Sequence, residues 1–372
     1  MKKIKIKNKY IGEGSRCFII AEAGSNHDGK LDQAKRLIEI AADAGVDAVK
    51  FQLFKAEELY PKNCGKVDTP AGKIDLYKAL KKMELPGDWL RELKKYSEKC
   101  GLIFLCAPFS EKAALELNNI DIDAFKIASP ELSHLPLLRY VASFGKLMII
   151  STGISKMADI EEAIEACRSA GNNNIVLMHC VTAYPAPLKD CNLNVIATMK
   201  MAFGLPVGFS DHTEDPLAAP VVSLLAGCNL IEKHFTPNKK LPGPDHPFAL
   251  EPNELKAMVK GIRKVEAFDK NQQYLAIMKM YGEKKVMMML GLGIKTIASS
   301  EKDLAACDRR SIRAINKISK HERFTPKNLG ILRSERNLKL GIHPRYWDIL
   351  IGKKAVKCIP AGKEIVWKDF IK

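Results

Sequence analysis

Eight short apolar runs punctuate the chain up to Phe235: Phe18 to Ala21, Val46 to Gln52, Leu102 to Ala107, Ala124 to Ala128, Leu147 to Ser151, Ile175 to Cys180, Val207 to Phe209 and Leu230 to Phe235. They are almost continuously hydrophobic, the character of parallel strands covered on both faces. Helix-period segments lie between them: Leu31–Ala44, Asp88–Cys100, Glu111–Asn118, Ile160–Ala170, Leu193–Ala202 and Pro216–Ala226. Gly45, Gly101, Gly171 and Gly227 close several of these, as helix C-terminal glycines do. Eight strand–helix units in about 260 residues predict an α/β fold, a TIM (β/α)8 barrel, with an open doubly wound sheet as the competing arrangement. A polar or ionisable residue ends nearly every run: Glu22, Lys50 and Gln52, Lys126 and Ser129, Ser151 and Thr152, His179, Ser210 and His212, Glu232 and His234. A barrel gathers all eight ends at one mouth, which an open sheet does not, and this favours the barrel.

The pattern changes towards the C-terminus. Short β-like pieces, Ser311–Ile315 and Lys354–Cys358, are broken by turns, and Ile318 to Leu329 parallels Ile359 to Phe370. A small β-rich module is expected there. The division is a barrel over 1–285, a linker over 286–308 and the module over 309–372, with the methionine run Met287–Met289 read as packing.

Composition adds limits. A hydrophobic fraction of 47% and a charged fraction of 27% are ordinary globular usage and permit a large core. No apolar run is long enough to span a bilayer, and the stretch Cys17–Ala21 runs straight into Glu22, unlike a secretory segment. A soluble cytoplasmic protein is expected, with its ten scattered cysteines reduced. The net charge of +16 is uneven, since Val286 to the end carries 19 Lys+Arg against 8 Asp+Glu. Solubility, a nucleic-acid patch and a field attracting an anionic small substrate all fit that bias.

His212 and His234 end the last two strands, and adjacent strand ends put two imidazoles within ligand reach of one divalent ion. Local hydrogen bonding is the plain reading of either one alone. Lys50 and Lys126, with the hydroxyls of Ser129, Ser151 and Ser210, form a plausible cradle for phosphate and carboxylate. Two lysines snorkelling to solvent is the opposing reading. Glu22 and Glu131 are candidates for acid–base work beside them, although a salt bridge to a lysine would equally explain Glu22. In Leu241-Pro-Gly-Pro-Asp-His246 a rigid loop would hold Asp245 over the mouth to accept from hydroxyls.

Nine segments in order resemble the sialic acid synthase family: Ile19-Ile-Ala-Glu-Ala-Gly-Ser-Asn-His27, Val49-Lys-Phe-Gln52, Ala107-Pro-Phe-Ser110, Phe125-Lys-Ile-Ala-Ser129, Ser151-Thr-Gly153, His179-Cys180 with Tyr184-Pro185, Gly208-Phe-Ser-Asp-His-Thr213, Glu232-Lys-His-Phe-Thr236 and Pro242-Gly-Pro-Asp245. The tail from about Ser311 is similar to that family's antifreeze-like (SAF) domain. The resemblance implies condensation of phosphoenolpyruvate with an N-acetylmannosamine-type aldose, releasing phosphate with C–O cleavage. It implies a divalent metal, manganese first with magnesium or cobalt also usable, on His212 and His234. It implies a phosphoenolpyruvate cradle of Lys50, Lys126, Ser129, Ser151 and Ser210, sugar contacts at Gln52, Tyr184 and Asp245, and mouth carboxylates at Glu22 and Glu131. It further implies a domain-swapped homodimer whose small domain caps the partner's site with an arginine, which favours the anionic-substrate reading of the charge over nucleic acid.

The chain also departs from that family. Ala107 and Thr182 stand where a threonine and an asparagine are common, and no asparagine matches a sugar contact around Ala71. The Arg-Pro-Gly motif appears expanded as Arg333 to Pro344, so Arg336 is the expected capping residue and Arg333 its alternative. The sugar therefore stays open among N-acetylmannosamine, its 6-phosphate and a diacetamido-trideoxy hexose. Two other functions compete: a deoxyheptulosonate- or deoxyoctulosonate-type synthase, and a non-catalytic carbohydrate- or nucleic-acid-binding barrel.

Overall fold

The computed structural model describes residues 3–69, 72–335 and 338–371. Eight parallel strands close a barrel in sequence order: β1 (Phe18–Gly24), β2 (Ala48–Leu53), β3 (Ile103–Pro108), β4 (Ala124–Ile127), β5 (Leu147–Ser151), β6 (Ile175–Cys180), β7 (Val207–Asp211) and β8 (Leu230–His234). The expected runs match these strands to within a few residues. A helix follows each strand, and Gly45 and Gly227 close their helices in the left-handed conformation at φ 78°.

Strand alternation sorts the apolar side chains into two clusters. Ile19, Val49, Phe51, Phe104, Phe125, Ile150, Leu177, Phe209 and Ile231 face outward into the helical layer. Phe18, Ile20, Ala48, Ile103, Leu105, Ala124, Leu147, Ile149, Val176, Met178 and Leu230 fill the barrel interior. Continuing the inward parity toward the C-terminal ends reaches Glu22, Lys50, Gln52, Lys126, Ser151, Ser210 and Glu232. The barrel floor is thus greasy and its mouth ionic, as a consequence of the period of two.

The base of the barrel carries an element that the strand–helix pattern does not predict. The basic N-terminus forms a hairpin, Ile4–Ile6 with Lys9–Ile11. Ile4, Ile6 and Ile11 join the interior cluster and plug the N-terminal end. Lys9 pairs with Asp47, which also accepts from the Ile19 amide at 2.8 Å and from Arg263 at 2.9 Å. A second hairpin, Lys66–Thr69 with Gly72–Asp75, also went unforeseen.

Beyond the barrel, helices Lys270–Tyr281 and Glu283–Leu290 bury Ile277, Val286, Met289 and Leu290 against its outer layer, so barrel packing continues to Leu290. Of the methionine run, Met289 is packed, whereas Met287 and Met288 stand at the surface. The C-terminal module pairs β9 (Arg310–Ala314) with β10 (Leu329–Arg333) over its own core of Ile312, Phe324, Leu350 and Ile365. Its two similar stretches meet: Ile318 N donates to Ile359 O at 2.9 Å and Ile359 N returns the bond at 2.8 Å. Lys354–Cys358 is no strand, and only Lys354 forms a bridge, with Arg323.

Candidate active site

The mouth is organised around one carboxylate that the sequence reading noted at a strand end but did not place in the site. Glu232 is 3% exposed. Its Oε1 lies 3.5 Å from Lys50 Nζ, 3.5 Å from Lys126 Nζ and 3.3 Å from Ser210 Oγ, which donates to it. Lys50 also pairs with Glu22 Oε2 at 3.0 Å, and Lys126 donates to Ser151 Oγ at 2.6 Å. Five strands, β1, β2, β4, β5 and β8, with Ser210 of β7, thus bring together Glu22, Lys50, Lys126, Ser151, Ser210 and Glu232. None of these lysines snorkels to solvent. A signal for Glu232 was present: its inward parity equals that of His234 two residues on.

The electrostatics follow from burial. Burial works against charge on Lys50, but Glu22 and Glu232 outweigh it and hold its ammonium above the ordinary lysine range. At Lys126 burial wins over Glu232 and the value falls. Burial raises Glu22 despite Lys50, whereas at Glu232 burial is overcome by Lys126 and Lys50 and the carboxyl is depressed.

Ser129, two residues past the end of β4, accepts from the Gly153 amide at 2.9 Å. Gly153 has no room for a side chain: a Cβ there would lie 1.9 Å from Thr182 Oγ1. Gln52 donates to Glu22 Oε1 at 2.7 Å. A register shift between Glu22 and Gly24 against β2 marks an irregularity that re-aims the end of β1. Gly24 adopts φ 52°, and a Cβ there would meet Asp245 Oδ2 at 3.1 Å, Gln52 Nε2 at 3.4 Å and Glu22 Oε1 at 3.4 Å. Two candidate sugar contacts, Asp245 and Gln52, and the mouth carboxylate Glu22 therefore converge on the space a glycine leaves open. Gly24→Ala is expected to raise the aldose KM by roughly 10-fold while the left-handed backbone costs about 1 kcal/mol of stability. Steady-state kinetics and a thermal melt read the two effects separately.

The histidines are paired as expected. The rings of His212 and His234 are 5.5 Å apart, centroid to centroid. His212 Nδ1 lies 2.8 Å from Val181 O, which orients Nε2 away from the backbone. His234 Nδ1 is buried with no hydrogen-bond partner, and Asp245 Oδ2 stands 3.7 Å away. Burial, with the ammonium groups of Lys50 and Lys126 near by, pushes His234 well below the ordinary histidine range, favouring the neutral ring a metal ligand needs. An orphaned imidazole nitrogen beside a second, backbone-oriented imidazole fits a divalent ion. Among the described residues no three His, Cys, Asp or Glu form a ligand cluster by themselves, so two imidazoles would leave further positions to other ligands. Tyr184 covers this pair, its ring 4.3 Å from His212 and 6.0 Å from His234. Burial and Glu22 push Asp245 up to about 6. His179, by contrast, points outward, with Nε2 2.7 Å from Cys191 O and its ring stacked on Phe209.

Glu131 requires a correction. Grouped by sequence with the mouth carboxylates, it is fully buried with both oxygens engaged: Arg310 Nε donates to Oε2 at 2.7 Å and Arg333 Nη2 to Oε1 at 2.8 Å. Arg310 also donates to Phe109 O at 3.0 Å, and Arg333 to Asp308 at 3.0 Å. A carboxylate held this way anchors the C-terminal module to its own chain's barrel and is not free to move a proton. Arg333 is accordingly an anchor. Arg336, the expected cap, lies outside the described residues. Burial opposes ionisation of Glu131, but Arg310 and Arg333 outweigh it and depress its pKa. The anchor is therefore complete above the unfolded glutamate value of about 4.3 and lost as pH falls through the folded value. Proteolytic cleavage in the 291–308 segment is expected to rise sharply at acid pH, and already at pH 7 in Glu131→Gln.

Comparison with known proteins agrees with this architecture. The model of the NeuB family matches residues 37–274, and that of the SAF domain residues 309–371. The spore coat polysaccharide biosynthesis protein SpsE of Bacillus subtilis is 45% identical over 374 residues, covering 100% of this chain and 98% of its own. Its crystal structure superposes with a TM-score of 0.86, at 43% identity, over 100% of this chain and 99% of that one. An N,N'-diacetyllegionaminic acid synthase of Campylobacter jejuni is 37% identical, covering 92% of this chain and 96% of its own. With a closed eight-stranded barrel, an ionic mouth and a family model matching most of its length, the chain belongs to the NeuB family and ends in a SAF domain.

Proposed function

We propose that this protein is a nonulosonic acid synthase, which condenses phosphoenolpyruvate with an N-acylated aldose and water to give the nine-carbon acid and phosphate. The convergence of two buried lysines, three carboxylates and two imidazoles at one barrel mouth carries this reading. A non-catalytic barrel has no use for such a costly set of buried charges.

Lys50 and Lys126, with Ser151, Ser210 and Ser129, bind the carboxylate and phosphate of phosphoenolpyruvate and fix its C3 toward the sugar. His212 and His234 would hold a divalent ion, manganese being the first candidate, which when bound draws electron density from the aldehyde oxygen as a Lewis acid. C3 forms the new bond to the aldehyde carbon, and the aldehyde π pair becomes the alkoxide. Water adds at C2, with Glu22 placed to take its proton: its buried Oε2 accepts no hydrogen bond besides the Lys50 contact, and burial raises the carboxyl above its ordinary range. The C2–O bond to phosphate then breaks, the C2 hydroxyl gives up its proton as the ketone forms, the alkoxide takes up a proton, and the phosphate leaves with the bridging oxygen. Asp245 and Gln52 orient the sugar hydroxyls, and Tyr184 shields the imidazoles from solvent.

For the sugar we favour a diacetamido-trideoxy hexose, because two relatives named N,N'-diacetyllegionaminic acid synthase, 37% and 33% identical, cover 92% and 96% of this chain. A homodimer is the assembly we propose, with each SAF module held on its own chain's barrel by the Arg310–Glu131 contact. Mass spectrometry of products from phosphoenolpyruvate, manganese and a panel of N-acylated hexoses tests the reading. A nonulosonic acid from the diacetamido sugar is expected; product only from phosphorylated, non-acylated aldoses would replace it with a deoxyheptulosonate-type reading. Among the described residues no helix is long and apolar enough to cross a membrane.

A further inference from the structure

The loop that carries Asp245 is fastened by a buried histidine that the reaction itself does not use. His246 is 0% exposed. Its Nε2 lies 3.0 Å from Asp28 Oδ1, and its Nδ1 lies 2.6 Å from Thr236 Oγ1. A carboxylate only accepts, so Nε2 carries a proton toward Asp28. Asp28 is itself held: Gln33 Nε2 donates to its Oδ2 at 2.7 Å and to Asn26 O at 2.6 Å. Asn26 in turn donates to Phe235 O at 2.8 Å. The circuit joins the loop after β1, whose strand bears Glu22, to the loop after β8, whose strand bears His234. Asp28 accepts a left-handed φ of 50° to reach the imidazole. A Cβ on Gly243 would come within 2.7 Å of His246 Cδ2, so the loop lies directly on the ring.

A hydroxyl, an imidazole and a carboxylate in line also describe a hydrolytic triad. Burial excludes that use, because Thr236 and His246 are both fully closed to solvent and no substrate carbonyl could reach the hydroxyl. What the circuit can do is fix the residue next to it. Asp245 has no hydrogen bond of its own among the described residues; its partner in range is His234, 3.7 Å away.

We infer that His246 is a positioning residue that acts through Asp245 on the aldose and not on phosphoenolpyruvate. The inference rests on the proposed synthase reading, in which Asp245 meets the sugar. Side chains placed with loop freedom lose roughly an order of magnitude or more in effective orientation.

The test is steady-state kinetics of His246→Phe, His246→Gln and Asp28→Asn, each alone and in an Asp245→Ala background, with both substrates varied. His246→Phe is expected to raise the aldose KM at least ~10-fold with the phosphoenolpyruvate KM changed less than ~2-fold. His246→Gln, which keeps one donor toward Asp28, should fall between it and the parent. In the Asp245→Ala background the His246 change should add almost nothing, since both act through one group. Equal rises in both KM values, or full additivity with Asp245→Ala, would mean a general structural role and overturn the inference. Should His246→Phe fail to fold, Asp28→Asn carries the same comparison. Unsubstituted enzyme that makes no nonulosonic acid would remove the synthase reading and this inference together; active enzyme with unselective variants removes the inference alone.

Discussion

His234→Ala is expected to lower turnover by at least ~10²-fold and to abolish binding of the divalent metal proposed for the His212–His234 pair. The ring is nearly buried, and its Nδ1 has no hydrogen-bond partner. An unsatisfied buried nitrogen is destabilising unless something binds it. Its surroundings also keep the ring neutral, with burial first and the ammonium groups of Lys50 and Lys126 behind it. Both features suit ligation and neither suits a packing role. Alanine removes one of two imidazoles and leaves His212 too few protein partners to retain an ion. Metal content by mass spectrometry and kcat by phosphate release should fall together. A variant that keeps its metal and loses less than a few-fold in kcat would take His234 off the ligand pair.

Glu232→Gln is the second large effect, expected at roughly 10²- to 10³-fold in kcat/KM, the range for losing one preorganised electrostatic partner. The carboxylate stands between two ammonium groups, 3.5 Å from each, and receives the Ser210 hydroxyl. With a neutral amide there, Lys50 and Lys126 repel one another across a buried site. Lys126, already lowered by burial, loses the carboxylate that opposes the fall. The pH–rate profile should therefore contract from its alkaline side as Lys126 deprotonates earlier. An unchanged profile with unchanged kcat/KM would make Glu232 a spectator.

The barrel was legible because parallel strands buried on both faces must be apolar along their whole length, and eight such runs are hard to arrange otherwise. Leu147–Ser151 and Ile175–Cys180 were read to the residue for that reason. The mouth was legible through parity, because a lysine such as Lys50 at an inward position has nowhere to go but the pocket. Glu232 is less visible because His234 carries the metal-ligand signal at the same strand end, although both obey the same alternation. Glu131 was misplaced for a different reason. Its nearness to Ser129 is visible in the chain, whereas Arg310 and Arg333, some 180 to 200 residues away, are not. The N-terminal hairpin is hidden by its lysines, because a Lys-Ile alternation only a few residues long carries too little apolar signal to mark a strand. Long-range ion pairs and edge strands at the barrel floor are set by tertiary contact, which local pattern does not report.

The central claim is that this mouth joins C3 of phosphoenolpyruvate to an aldehyde and releases phosphate by breaking the carbon–oxygen bond. Phosphoenolpyruvate carrying 18O in the bridging position, supplied with the N-acylated aldose and manganese, tests it directly. All of the label should leave in inorganic phosphate, and only when the aldose is present. Label retained in the sugar acid, or phosphate released equally without aldose, would contradict the mechanism assigned to these residues.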